Sequence, residues 1–255
     1  MTQFDFIFML TRNDRTVADA AVHAETALRA GIRHIGFKDV GLPFDALAGL
    51  ARQIREGGAS TYLEVVSLDR DSEIRSVKAA IDLGVDYLLG GTHVEDVLPL
   101  LEGTPTRYYP FPGRIVGHPS ILEGTQAEIV KSAVALASHP GVAGLDLLAY
   151  RSGGNVPSLI DAVCRAVPKP VIVAGSVDRP DQIEAIRKSG AAGFTVGTSA
   201  LDGRFPAKSP ALEFQLRAIS ACLEEHLSSM GAGERFGRQQ HSTLVVTSQN
   251  GGFGL

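Results

Sequence analysis

Val171-Ile-Val-Ala-Gly-Ser-Val177, then Asp178-Arg-Pro-Asp-Gln-Ile183, then Gly193-Phe-Thr-Val-Gly-Thr-Ser-Ala-Leu201, is the stretch that decides the fold. It reads as an apolar strand, a small-residue turn, an amphipathic helix, a glycine exit, a second strand and a second small-residue turn. Working outward, the same unit recurs along the chain. Gly31, Gly58, Gly84, Gly141 and Gly190 each close a helical stretch and stand just before a β-rich run. Glycine suits that place because a chain leaves a helix most readily through a left-handed residue.

The strands expected are Phe4–Leu10, His34–Lys38, Tyr62–Leu68, Asp86–Gly90, Arg107–Phe111, Ala143–Tyr150, Pro170–Ser176 and Gly193–Thr198. Helical periodicity runs through Val17–Ala30, Asp45–Glu56, Asp181–Lys188 and Ala211–His226. Thr92 with Glu95 and Thr125 with Glu128 read as capping boxes, and Ser209 as a cap before Pro210. Strands alternating with helices imply parallel pairing and right-handed crossovers. The reading is a single α/β domain, a (β/α)₈ TIM barrel over residues 1–229, with a C-terminal tail over 230–255. A doubly wound sheet is the competitor. It usually carries a Gly-rich turn after strand one, and Thr11-Arg-Asn-Asp-Arg15 is not one. The tail, with a β-like run at Thr243–Thr247, is expected to pack on the barrel exterior or a neighbouring subunit.

Composition narrows the function. A net charge of −4 with scattered basic residues gives no footing for nucleic acid or an anionic membrane. No apolar run has the length of a membrane span, and with the N-terminus going almost directly into a strand no signal peptide is expected. Cys164 and Cys222 show neither metal-ligand nor disulfide spacing. A cytoplasmic enzyme with no metal and no cofactor is expected, and the apolar C-terminal run is consistent with a homo-oligomer.

The turns Ala174-Gly175-Ser176-Val177 and Gly197-Thr198-Ser199-Ala200-Leu201 resemble those of the ribulose-phosphate-binding (β/α)₈ barrels. That superfamily includes isomerases and synthases of histidine and tryptophan biosynthesis. The resemblance covers about 35 residues. It implies that Gly175, Ser176, Gly197 and Thr198 hold a substrate phosphate. The alternative reading of these glycines is that they only make tight turns.

Strand period two sorts the ionisable residues. With Ile35 and Phe37 facing the helices, Lys38 turns inward at the C-terminal end of strand two. The same parity puts Glu64 inside strand three, and Asp146 and Tyr150 inside strand six. A lysine–carboxylate cluster at that face suits proton transfer or imine chemistry, although an ion-pair plug is the bland alternative. Lys38, one of six lysines, also resembles in position the strand-two lysine of furan-phosphate synthases of this barrel group. Strand one ends Phe8-Met-Leu-Thr-Arg12, without the acid or cysteine of the histidine- and tryptophan-pathway isomerases. Arg12, Arg151 and His118 are candidates on loops, the arginines for a substrate anion and the histidine as acid or base.

Three functions follow from this reading. The first is an aldolase-type lyase or synthase acting on a small phosphorylated sugar or keto compound through Lys38, with Glu64 or Asp146 as proton shuttle and Tyr150 as hydrogen-bond donor. The second is a sugar-phosphate isomerase or epimerase working by acid–base catalysis. The third is a non-catalytic barrel that binds a phosphorylated ligand, for which Lys38 should be fully paired with no open space above it.

Overall fold

The computed structural model describes residues 4–223. Eight parallel strands form one sheet: β1 (Asp5–Met9), β2 (His34–Lys38), β3 (Ser60–Val65), β4 (Tyr87–Gly90), β5 (Arg107–Tyr109), β6 (Leu145–Leu147), β7 (Val171–Val173) and β8 (Gly193–Val196). Their order is β6-β7-β8-β1-β2-β3-β4-β5. The seam between β5 and β6 is closed by a parallel bridge from Tyr108 to Val142, and by Ala143 N donating to Tyr108 O at 2.8 Å. The fold is a (β/α)₈ barrel. The expected tail, with Thr243–Thr247, lies outside the described residues, as do the last residues of the expected Ala211–His226 helix.

Seven helices wrap the sheet: α1 (Ala20–Arg29), α2 (Phe44–Glu56), α3 (Arg70–Leu83), α4 (Val94–Leu101), α5 (Gln126–Ala137), α6 (Val156–Ala166) and α7 (Pro180–Lys188). A short α8 (Thr198–Leu201) follows β8, and residues 212–223 are helical. Outward strand residues such as Ile35, Phe37, Leu63 and Leu147 are fully buried beneath this helical layer. Each such side chain is worth roughly 1.5–3 kcal/mol.

The caps are partly as read. Thr125 and Glu128 make the expected box on α5, with Thr125 N donating to Glu128 Oε2 at 2.7 Å. Thr92 makes none. The carboxylate of buried Glu73 on α3 instead accepts from the N–H groups of Thr92 and His93 at the start of α4. The helix after Ser209 begins two residues later than a proline at its first position requires, at 212, with Ser209 Oγ accepting from Ala211 N.

Inside the barrel the two ends differ. Towards the N-terminal end, Ile7, Met9, Tyr62, Leu89, Tyr109 and Ile172 form an apolar plug. Tyr62 stacks on Tyr87 with ring centroids 4.2 Å apart, and its hydroxyl lies 2.9 Å from His34 Nδ1. Gly144 is needed there, because any Cβ would collide with the Tyr109 ring. This floor is filled by side chains; the Lys38 cluster lies above it.

Candidate active site

Lys38 ends β2, and its side chain is buried, as strand parity requires. Its Nζ lies 2.8 Å from Asp14 Oδ1 and 3.1 Å from Glu64 Oε1. The backbone at Lys38 is held as tightly. Thr16 Oγ1 accepts from Lys38 N at 2.8 Å and donates to Lys38 O at 2.7 Å. Asp14 and Thr16 belong to one hairpin, in which Thr11–Arg12 pairs with Arg15–Thr16. At its turn Asn13 and Asp14 both take positive φ, 48° and 57°, a conformation Asn and Asp tolerate better than most residues.

Asp14 is the hub of the site. Besides Lys38, its Oδ2 accepts from Arg151 Nη1 at 2.7 Å and from Ser120 N at 2.8 Å. Burial pushes its carboxyl up, but the hydrogen bond and charge of Arg151, together with Lys38, outweigh it and hold the group well below the usual carboxylate range. Arg151 is likewise penalised by burial, yet Asp14 holds it firmly charged. Sequence reasoning places Asp14 only in a loop. The available signal is a hairpin turn with two residues suited to positive φ directly after strand one.

Glu64 and Asp146 both point into the barrel. Asp146 is fully buried, and among the described residues neither carboxyl oxygen has a hydrogen-bond partner. Desolvation, then the nearby Glu64 charge, raises its carboxyl well above the ordinary value, with Lys38 and Arg151 acting against them. Asp146 is thus the carboxyl of the group whose charged form is most disfavoured. The cations Lys38 and Arg151 are balanced by Asp14 and Glu64, and the site closes its own charge.

A cavity of about 60 Å³ opens over this network. Lys38, Asp14, Glu64 and Arg151 line one side. Ala174 to Val177 and Gly197 to Ser199 line the other. All four residues expected at the phosphate seat, Gly175, Ser176, Gly197 and Thr198, are thus on the cavity wall. The glycines also have packing reasons. Gly175 has φ +95°, and a Cβ there would come within 2.8 Å of Arg151 Cγ; a Cβ on Gly197 would come within 2.9 Å of Met9 O. Ser176 has no such excuse: it takes φ +62° with a side chain exposed at the mouth.

Other candidates are placed elsewhere. The β6 ladder ends at Leu147, and Ala149–Arg151 turns as a 3₁₀ segment, so strand parity does not extend to Tyr150. Its hydroxyl donates to Gln182 O on α7 at 3.4 Å, and it is not on the cavity wall; the same turn carries Arg151 to the site. Arg12 clamps α8, reaching Asp202 Oδ1 at 2.7 Å and Leu201 O at 2.8 Å, outside the cavity lining. His118 is exposed in the loop over the mouth, two residues from Ser120, which does reach Asp14. Asp39, next to Lys38, accepts from Ser76 Oγ on α3. His93, next to Thr92, lies with Nδ1 2.7 Å from Glu73 Oε2.

No protein-family model matches the sequence, and no curated protein is significantly similar to it. Solved structures do match. Orotidine 5′-phosphate decarboxylase from Pyrococcus horikoshii OT3 superposes with a TM-score of 0.62 at 15% identity, covering 86% of this chain and 99% of that one. N-acetylmannosamine-6-phosphate 2-epimerase from Clostridium perfringens gives 0.56 at 14% identity, covering 78% and 88%. Phosphoribosylanthranilate isomerase from Thermotoga maritima gives 0.58 at 12% identity, covering 85% and 97%. The chain shares the (β/α)₈ fold of these structures. Among the described residues, no helix is long and apolar enough to cross a membrane.

Proposed function

We propose that the protein is an enzyme that moves a proton next to the carbonyl of a small phosphorylated sugar or keto compound. One observation carries this reading: Lys38, Glu64 and Arg151 share a cavity wall with the two turns after β7 and β8. In the proposed reaction Gly175, Ser176, Gly197 and Thr198 seat the phosphate and Arg151 adds a charged contact. Glu64 takes the proton from the carbon beside the carbonyl as that bond's electrons form an enediolate. The Lys38 ammonium hydrogen-bonds the developing oxyanion; the neighbouring hydroxyl proton passes to that oxygen, and Glu64 delivers its proton to the former carbonyl carbon, leaving the isomerised carbonyl compound and a free carboxylate.

Lys38 Nζ is engaged by two carboxylates, Asp14 and Glu64, which supports a hydrogen-bonding role in acid–base isomerisation or epimerisation over the covalent reading. Aldolase-type chemistry through a Lys38 imine is the second reading, favoured by the opening of the cavity onto that residue. The same opening counts against a filling plug, although the pairing of Lys38 is what a plug requires. Two of the similar structures, orotidine 5′-phosphate decarboxylase and N-acetylmannosamine-6-phosphate 2-epimerase, agree in name with this substrate class. A cytoplasmic setting and a homo-oligomer complete the proposal.

The test is solvent exchange. A panel of three- to six-carbon sugar phosphates incubated in deuterium oxide should show enzyme-dependent deuterium beside the carbonyl of one member. Lys38→Ala and Glu64→Gln should abolish it. An adduct trapped by borohydride on Lys38 selects the imine reading, and exchange without any adduct selects the acid–base one. No exchange with any of the panel would count against both.

A further inference from the structure

The position of Asp14 asks for an explanation beyond charge balance. A carboxylate sits between the two cations of the site, at the one place where an incoming anion would also be drawn. It is carried on a turn whose two central residues both take positive φ, and its side chain is almost wholly buried. It also holds the loop over the mouth. In that loop Arg114–Val116 pairs with Ile121–Glu123, and the tip between them reaches the site through the backbone of Ser120. Ser120 N donates to Asp14 Oδ2, and Arg151 Nη1 donates both to that oxygen and, at 3.3 Å, to Ser120 O. One carboxylate oxygen thus joins the arginine and the loop. Arg151 itself packs on Gly175, where a Cβ would approach its backbone N to 3.0 Å, and it lines the same cavity as the turn after β7.

We propose that Asp14 is a resident counter-anion which the phosphate of a ligand displaces from Arg151, so that occupation of the seat unlatches the loop tip at residues 117–120. This rests on the reading of the β7 and β8 turns as a phosphate seat. The exchange is favourable because a phosphate offers Arg151 more acceptor oxygens and more charge than one carboxylate does. When Arg151 turns to the phosphate, Asp14 keeps Lys38 as its partner and loses the arginine that fixes the oxygen on which Ser120 depends. The turn at Asn13–Asp14 gives the carboxylate a short, exposed hinge at Asn13. The site then reports its own occupancy to the segment that covers it.

Inorganic phosphate is the probe, with full-length protein throughout. Phosphate affinity is measured by titration, and loop opening by amide hydrogen exchange over residues 117–120. In the wild type, phosphate should speed exchange at the loop tip by about tenfold or more while slowing it in the segments around Gly175 and Gly197. Asp14→Asn should exchange at the fast rate without phosphate and bind phosphate about tenfold more tightly. Ser176→Asp, which places a like charge in the seat, should bind none and leave the tip unresponsive. If wild type binds phosphate, Ser176→Asp abolishes binding, and Asp14→Asn changes neither affinity nor exchange, the latch is wrong and the seat stands. If phosphate binds no variant, or binds Ser176→Asp as well as wild type, the seat fails and the latch with it. Should Asp14→Asn not fold, the wild type decides: phosphate that leaves exchange at the tip unchanged or slows it overturns the proposal.

Discussion

The two ends of the barrel interior solve the same packing problem in opposite ways. The floor fills its space with aromatic and aliphatic side chains, and its main polar handle, the Tyr62 hydroxyl, meets His34. The mouth fills its space with charge, and each ionised group has a partner of opposite sign. Apolar packing at the floor contributes stability directly, whereas a buried ion network contributes little net stability and fails badly when one member is removed. The floor therefore reads as support and the mouth as a site.

Several substitutions would break or sharpen that contrast. Tyr62→Ala should be the most costly, at about 3–5 kcal/mol in denaturant unfolding, while phosphate affinity in the surviving folded protein stays near wild type. Lys38→Met should cost about 3 kcal/mol, because two carboxylates lose their shared cation. Adding Glu64→Gln should return part of that loss; a strictly additive double mutant would show that the two residues do not interact. At the floor, no second substitution should rescue Tyr62→Ala in this way.

Asp146→Asn tests the raised carboxyl. A carboxyl whose folded value is raised contributes stability that is fully present below the unfolded value, near 4, and is lost as pH climbs towards the folded one. Asparagine keeps the shape without the titration, so the stability of the variant relative to wild type should improve between pH 4 and pH 8. Unfolding curves at the two pH values that keep the same difference would refute this. Asp14 has the opposite sign: its contribution is present above about pH 4 and is lost as pH falls below it. The smallest effect belongs to Arg12→Ala. That half-exposed pair with Asp202 should be worth no more than about 1 kcal/mol, and phosphate binding should be unaffected.

The barrel was legible because its signals are local: a glycine exit, an apolar run and a turn, repeated. Lys38, Glu64 and Asp146 were legible for the same reason, since alternation along a strand decides which side chains enter the barrel. Alternation misleads at Tyr150 because the ladder stops at Leu147 while the apolar pattern runs on. Asp14 and Ser120 are the opposite case. Residues 106 apart in sequence meet through a side chain and a backbone N–H, and no local pattern encodes that contact. Thr92 and Glu95 satisfy the letters of a capping box, but a carboxylate from another helix reaches the same donors first.

The hairpin at Thr11–Thr16 has one more consequence. Loops at this face of a barrel commonly vary in length with little penalty. This one fixes Lys38 at both ends, with Thr16 on its backbone and Asp14 on its ammonium, and Thr16 N also donates to Val40 O at 2.8 Å. An insertion or deletion of one residue would move both grips out of step. Over evolutionary time the six-residue loop and the lysine should therefore travel together as a single inherited cassette, gained, kept or lost as a unit while neighbouring loops drift.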